Sequence, residues 1–175
     1  MIKVNITDEQ WERARNLYEF SVLNQSFTQG QGNMTGALGE IIVHDTWSSK
    51  LMFPKETSYH YDLLSRCGNT KIDVKSKKIS NHVVPKMDFK VAVSHSNGLG
   101  INQKCDWYVF CFITKDCTTG YIVGWCKKDR FISEGIFKRQ GDVDDIAQVM
   151  NPGWRFTVDT HIMLIKDLVQ IETFV

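Results

Sequence analysis

Tyr61-Asp62-Leu63-Leu64-Ser65-Arg66-Cys67-Gly68-Asn69-Thr70-Lys71-Ile72-Asp73-Val74-Lys75 is the stretch on which the reading of the fold turns. Two runs with strand character, 61–64 and 71–76, flank a polar segment holding Gly68-Asn69, a hairpin signal. Side chains alternate between faces along a strand, so Asp73 and Lys75 share one face while Ile72 and Val74 share the other. A two-residue turn at Gly68-Asn69 sets Asp62 opposite Lys75 and Leu64 opposite Asp73. A four-residue loop keeps this pairing, and a three-residue loop breaks it. Asp62, Asp73 and Lys75 then gather on one face, with the two acids as diagonal neighbours.

Upstream of the hairpin the period changes from two to that of a helix. Thr7 and Gln10 form a capping-box pattern, followed by Trp11, Ala14, Tyr18 and Val22 at helical spacing, which predicts a first helix over 7–24. A polar loop with Gly30 and Gly32 leads to a second helix over about 36–47, apolar through Ala37, Leu38, Ile41 and Ile42. Gly36 and Gly39 let that helix approach a sheet closely, and Glu40 sits at its middle. Downstream, strands are expected at about 89–94, 107–113 and 121–126, and a helix over 127–137. A short helix is expected over 142–150, stopped by Asn151-Pro152-Gly153. The stretch 155–174 mixes strand and loop signals. The whole reads as one mixed α/β domain spanning 1–175.

Two carboxylates beside an ammonium on a half-buried sheet are costly to desolvate. Such a cluster needs a cation, mutual pairing or open solvent. Oxygen-only ligands at this density suit Mg²⁺, which takes one or two carboxylates together with substrate phosphate. A lysine there is a compact point charge that can orient a water or oppose charge developing on a phosphate. Taken alone, Asp73-Val74-Lys75 also reads as an exposed strand of alternating charge. Asp62 at hairpin spacing and Glu40 on a closely packed helix argue against that simpler reading.

Together these segments resemble the PD-(D/E)XK nuclease superfamily, which has the restriction-endonuclease-like fold. Gly36-Ala37-Leu38-Gly39-Glu40 resembles its helical element. Tyr61-Asp62 resembles its second motif, with tyrosine where the proline stands, and Asp73-Val74-Lys75 resembles its third. Cys105-Asp106-Trp107-Tyr108-Val109-Phe110 is similar to the next core strand. Tyr121-Ile122-Val123-Gly124-Trp125 and Phe131-Ile132 are similar to the strand and helix after it. The resemblance covers about 36–135 and leaves 136–175 as a C-terminal extension. It implies a three-layer α/β domain in which a mixed sheet of about four or more strands is flanked by helices. It also implies Mg²⁺- or Mn²⁺-dependent hydrolysis of DNA phosphodiesters. By that resemblance Asp62, Asp73 and the Val74 carbonyl ligate the metal, Glu40 does so directly or through water, and Lys75 positions the attacking water. The family pattern has a core helix soon after the third motif, whereas 83–93 looks extended here, so an inserted hairpin is expected.

Charge is uneven along the chain. The net charge is only +1, unlike a strongly basic nucleic-acid coat, yet residues 71–90 hold six lysines against Asp73 and Asp88. Lys71, Lys77, Lys78 and Lys86, with Lys90 and His82, are candidates for a ridge that tracks a phosphate backbone, or else a solvated charged face. Hydrophobic residues at 42% and charged residues at 23% exclude a disordered, collagen-like or coiled-coil chain. No apolar run approaches the ~20 residues that span a bilayer, so no membrane partner is expected. Five cysteines, an odd count, lead to the expectation of free thiols in a soluble cytoplasmic protein. Their spacing is poor for zinc, and no motif joins His95 or His161 to a thiol. Gln103 and Lys104 precede the strand at 107 and are expected near the site, while Asp106 reads as a strand-start residue. Asp142, Asp144 and Asp145 read as helix-start acids, and Trp125 and Trp154 as packing residues. A metal-dependent nuclease is thus the leading expectation, and cutting both strands favours a two-fold homodimer. The alternative is a non-cleaving nucleic-acid-binding or protein-interaction module on the same fold.

Overall fold

The computed structural model describes residues 1–17, 33–56, 58–95, 102–144 and 152–170. A six-stranded mixed sheet runs through the middle in the order β1-β7-β6-β4-β3-β2. Its strands are β1 (Ile2–Asn5), β2 (Leu51–Met52), β3 (Leu63–Ser65), β4 (Lys71–Ile79), β6 (Trp107–Thr114) and β7 (Thr119–Lys127). β4 and β6 pair in parallel and the other neighbours are antiparallel. β5 (Lys90–Ser94), β9 (Thr160–Leu164) and β8 (Ile136–Lys138) form a second, three-stranded antiparallel sheet.

Alternation along β6 builds two cores. Val109, Cys111 and Ile113 join Leu38, Ile41 and Ile42 in a cluster under α1 (Asp8–Leu17) and α2 (Asn33–Thr46). Tyr108, Phe110 and Phe112 join Val91 and Val93 of β5, Met163 of β9 and Phe131 of α3 (Lys128–Glu134). A strand covered on both faces reads as a continuous apolar run, which is why 107–113 was legible as a strand.

The capping box forms in both directions: Gln10 N–H donates to Thr7 Oγ1 and Thr7 N–H donates to Gln10 Oε1, each at 3.1 Å. Trp11 and Ala14 of the predicted stripe pack into the helical core, and Tyr18 and Val22 lie outside the described residues. Arg13 of α1 pairs with Asp45 of α2 at 2.9 Å, fastening the two helices. Burial raises the Asp45 carboxyl, but hydrogen bonds from Gln10 and His44 and the Arg13 charge outweigh it and hold the group below its ordinary value.

Several expectations need correction. The stretch 83–93 is not a hairpin: after β4 the chain is irregular, and β5 leaves to pair with β9 in the other sheet. The sheet's second flank is therefore mostly a smaller sheet, with α3 and the short 3-10 helix Ile165–Asp167 beside it. The helix predicted over 127–137 stops at Glu134, and Ile136–Lys138 is strand. Asp142–Asp144 are not helical. Val143 bridges to Arg155, Asp144 pairs with Lys90 at 2.9 Å, and 145–150 lie outside the described residues. The loop glycines Gly30 and Gly32 lie outside them too. α2 begins at Asn33, earlier than expected.

Of the two glycines on α2, only Gly39 makes a close approach. A Cβ at Gly39 would stand 1.8 Å from Ser76 Oγ and 3.1 Å from Ser76 Cβ, while Gly36 faces open space. Gly39→Ala is expected to destabilise the protein by about 1–3 kcal/mol through overpacking, and Ser76→Ala added to it should recover part of the loss. Thermal melts of the single and double variants check this. A Gly39→Ala protein as stable as the parent would mean that α2 does not need the contact.

Candidate active site

The hairpin closes with a four-residue loop. Ser65 N–H donates to Thr70 O at 2.9 Å, Thr70 N–H donates to Ser65 Oγ at 3.1 Å, and Gly68 turns the loop at φ 76°. That φ lies in the left-handed region, where glycine is least strained. The register differs by two from that of a tight turn: Leu64 stands opposite Lys71 rather than Asp73, and Leu63 opposite Ile72. A shift of two preserves which residues share a face.

β3 covers only the first two residues of β4. Asp62 N–H still donates to Ile72 O at 2.8 Å, and then its side chain takes over: Asp62 Oδ2 accepts the Val74 N–H at 2.7 Å. The carboxylate thus replaces the next strand residue on the ladder. Backbone donors lie in the plane of a sheet, so the Asp62 carboxyl lies at the sheet edge rather than on the face expected for it. Lys71 O and Ile79 O accept from Asp106 and Lys115 on the β6 side, so odd-numbered residues of β4 turn their backbone groups toward β6. The even-numbered ones turn the other way. The Val74 carbonyl therefore shares the open edge with Asp62, and no described strand covers Ser76 or Lys78 there.

Asp73 and Lys75 occupy the β4 face away from α2. Asp73 is only 3% exposed and Lys75 Nζ lies 2.6 Å from its Oδ2. That contact is an ion pair without hydrogen-bond geometry, and Asp73 Oδ2 makes no hydrogen bond. Gln103 closes the arrangement: its Nε2 donates to Asp73 Oδ1 at 2.9 Å and to Tyr59 O at 3.3 Å, and its Oε1 accepts from Lys75 Nζ at 3.2 Å. Lys128 Nζ donates to the Gln103 carbonyl. Tyr108, paired in register with Asp73, puts its ring 5.8 Å from Lys75 Nζ. Glu40, 8% exposed, comes from the other side on α2, one residue beyond the close-packed Gly39. The site therefore straddles the β4 edge, with Glu40 from the helix layer, Asp62 in the sheet plane, and Asp73 and Lys75 from the far face.

Electrostatics reflect the crowding. Burial, then the negative charges of Glu40 and Asp73, push the Asp62 carboxyl well above its ordinary value, against the pull of Lys75 and the Val74 N–H. Burial also pulls on Lys75, but Asp73 and Asp62 outweigh it and hold the ammonium above 10.5. The Cys105 thiol is pushed up to about 12 by burial and Asp73, and the Tyr108 phenol is raised by burial, Cys105 and Asp73. Neither group is a nucleophile at neutral pH; both stay protonated.

The lysines flanking the site divide. Lys77 shares the face of Lys75, while Lys78 points to the helix side, where its charge acts on Cys117. Lys77, Lys78, His82 and Lys86 are exposed, and Lys71 lies over the Tyr61 ring at 5.3 Å. Lys90 is taken by Asp144. Alternation along β4 turns Lys77 and Lys78 to opposite faces of the sheet. Asp106 is the structural residue expected, its Oδ2 accepting the Lys71 N–H at 2.7 Å and setting the β4–β6 register. Trp125 stacks on Trp107 at 4.6 Å, and Trp154 meets Phe156 edge-on. Gln103 was placed near the site only by its neighbourhood in sequence, and Tyr108 and Lys128 were not singled out. The Asp106 clamp is the signal for Tyr108, since it fixes which β6 residue stands beside Asp73.

The donor set fits a hard divalent cation in type and charge: Glu40 and Asp73, both buried, and the half-buried Asp62 face one ammonium, and burial with the charges of Glu40 and Asp73 raises the Asp62 carboxyl. As the side chains stand, no three His, Cys, Asp or Glu groups among the described residues are close enough to hold an ion. Glu40, Asp62 and Asp73 would have to draw together around it. Among the described residues no helix is long and apolar enough to cross a membrane. Compared with known proteins, the chain matches no protein-family profile and no curated protein.

Proposed function

We propose that the chain is a metal-dependent nuclease that hydrolyses DNA phosphodiester bonds on a core of the restriction-endonuclease-like kind. The observation that carries the reading is the excess of buried acid at the open edge of β4, where burial, Glu40 and Asp73 together raise Asp62. Glu40, Asp62, Asp73 and the Val74 carbonyl would hold Mg²⁺ or Mn²⁺. When bound, the ion supplies positive charge to the phosphate undergoing attack. Lys75 stays protonated, so it donates rather than accepts. Gripped by Asp73 and Gln103, it orients the attacking water and opposes the charge that develops on phosphate oxygens. Lys77, Lys78, His82 and Lys86 would meet the DNA backbone beyond the site, with Lys71 on the other side of it. Cutting both strands would call for two copies related by a two-fold axis.

A non-cleaving nucleic-acid- or protein-binding module is favoured by one observation, the lack of a ready three-ligand group among the described residues. Incubation with supercoiled, linear and branched DNA, with and without Mg²⁺ or Mn²⁺, decides between the readings. Strand breaks that need the ion are expected. DNA that is bound but left whole with every divalent metal would hand the site to the second reading.

A further inference from the structure

Lys75 Nζ is shared between a charged oxygen and a neutral one: it lies 2.6 Å from Asp73 Oδ2 and donates to Gln103 Oε1 at 3.2 Å. The same Gln103 amide donates through Nε2 to Asp73 Oδ1 at 2.9 Å and to Tyr59 O at 3.3 Å. These partners leave the amide one orientation. Carboxylate and carbonyl oxygens accept and an ammonium donates, so Nε2 must face Asp73 and Oε1 must face Lys75. Gln103 is buried, and Lys128 at the start of α3 donates to its main-chain carbonyl, so the residue is held at both ends. The two oxygens of Asp73 thereby differ. Gln103 occupies Oδ1, whereas Oδ2 makes no hydrogen bond and faces Lys75. Oδ2 is thus the oxygen left for a divalent cation, and turning it there opens the pair with Lys75. A lysine released in that way regains as much rotamer freedom as any side chain, and this one already reaches solvent. Gln103 Oε1 remains to hold it, with the Tyr108 ring 5.8 Å from Nζ.

We propose that Gln103 is a positioning residue that takes over Lys75 when Asp73 turns to the metal, keeping the ammonium at the phosphate undergoing attack. The inference rests on the nuclease reading and adds to it a residue from outside the three motifs. Asp73 and Lys75 stand two apart on β4, and their direct pair is the contact that the loaded site gives up. Gln103 reaches both from the segment before β6, so their spacing no longer depends on that pair.

Gln103→Met keeps the length of the side chain and removes both of its hydrogen-bonding ends. With Mg²⁺ and saturating protein it is expected to cut DNA about tenfold or more slowly in single turnover, the scale of one hydrogen bond to a charged group, with DNA affinity unchanged. In a Lys75→Ala background the same change should cost much less, because a residue acting through Lys75 has little left to act on. Lys128→Met loosens Gln103 from its other end and should show the same pattern at smaller size, which serves if Gln103→Met does not fold. A second arm needs no cutting. Asp73→Asn removes the charged partner of Lys75 and keeps an oxygen for Gln103 Nε2. The ¹⁵N NMR signal of the Lys75 ammonium, assigned by its absence from Lys75→Ala, should persist in Asp73→Asn and vanish in Asp73→Asn/Gln103→Met, because a held ammonium exchanges its protons slowly. Equal losses of rate in both backgrounds overturn the inference and leave the nuclease reading standing. If no DNA is cut, the nuclease reading falls and the NMR arm decides the hold on Lys75: a signal missing from Asp73→Asn, or kept in the double variant, overturns it.

Discussion

Lys75→Ala is expected to cut DNA at least about 10²-fold more slowly in single turnover than the unaltered protein, with little loss of DNA affinity. That is the scale for removing one electrostatic stabiliser aimed at developing charge. The geometry explains why affinity should be spared. Lys75 Nζ is already engaged by Asp73 and Gln103, with its side chain 27% exposed, so it contributes little to tracking a backbone. Lys77, Lys78 and Lys86 are exposed and should behave in the opposite way. Their joint change to alanine should weaken binding and flatten its salt dependence, with near-normal cutting at saturating protein. A filter-binding salt titration beside single-turnover cleavage measures both. A Lys75→Ala protein that cuts at the normal rate would show the mechanism to be wrong.

Asp62→Asn should raise the melting temperature of the metal-free protein near neutral pH. The folded state holds the Asp62 proton more tightly than the unfolded chain does, for which 3.8 is the ordinary value. Its folded pKa is raised, so the folded state binds more protons across the window from about pH 4 up to the raised value. Stability therefore falls as pH rises through that window. An asparagine keeps an acceptor for the Val74 N–H and removes the titration. The variant should lose this slope and melt at a higher temperature than the unaltered protein at pH 7. Mg²⁺ should also raise the melting temperature, by a different route. It stabilises the unaltered protein by mass action, about 2.7 kcal/mol at a hundred times its dissociation constant, and Asp62→Asn and Asp73→Asn should each blunt that gain. An unchanged response to Mg²⁺ in both variants would place any ion elsewhere.

What the sequence makes legible follows period and length. β6 and β7 stand out as apolar runs because they are buried on both faces, and the Thr7–Gln10 box marks the start of α1 without ambiguity. Asp73 and Lys75 share a face as parity requires, but the hairpin loop is centred one residue earlier than Gly68-Asn69, which shifts the register by two, and the Asp62 carboxyl turns into the sheet edge instead of joining them on that face. Other features were hidden for physical reasons. β1 and β8 are too short for a period to emerge, and their pairing partners lie far away in sequence. β5 reads as a strand, but nothing local says which sheet it joins. Asp62 sits in the sheet plane because β3 ends early, and a strand's end depends on where the chain turns rather than on its own composition. Gln103 binds Asp73 and Lys75 from outside any repeating pattern, so only the folded arrangement shows it.

β1 pairs with β7 in the register Ile2↔Ile122, across some 120 positions of chain. On a ribosome adding about 5–20 residues per second, β1 has been made roughly 6–24 s before the strand it will join. During that interval the sheet cannot close on this side. The segment waits with Lys3 and Asn5 alternating between Ile2 and Val4, a pattern too polar on one face to pair readily with other chains. Docking of β1 is thus a late event in biosynthesis, and the order of synthesis leaves the outer margin of the main sheet open until β7 has been made.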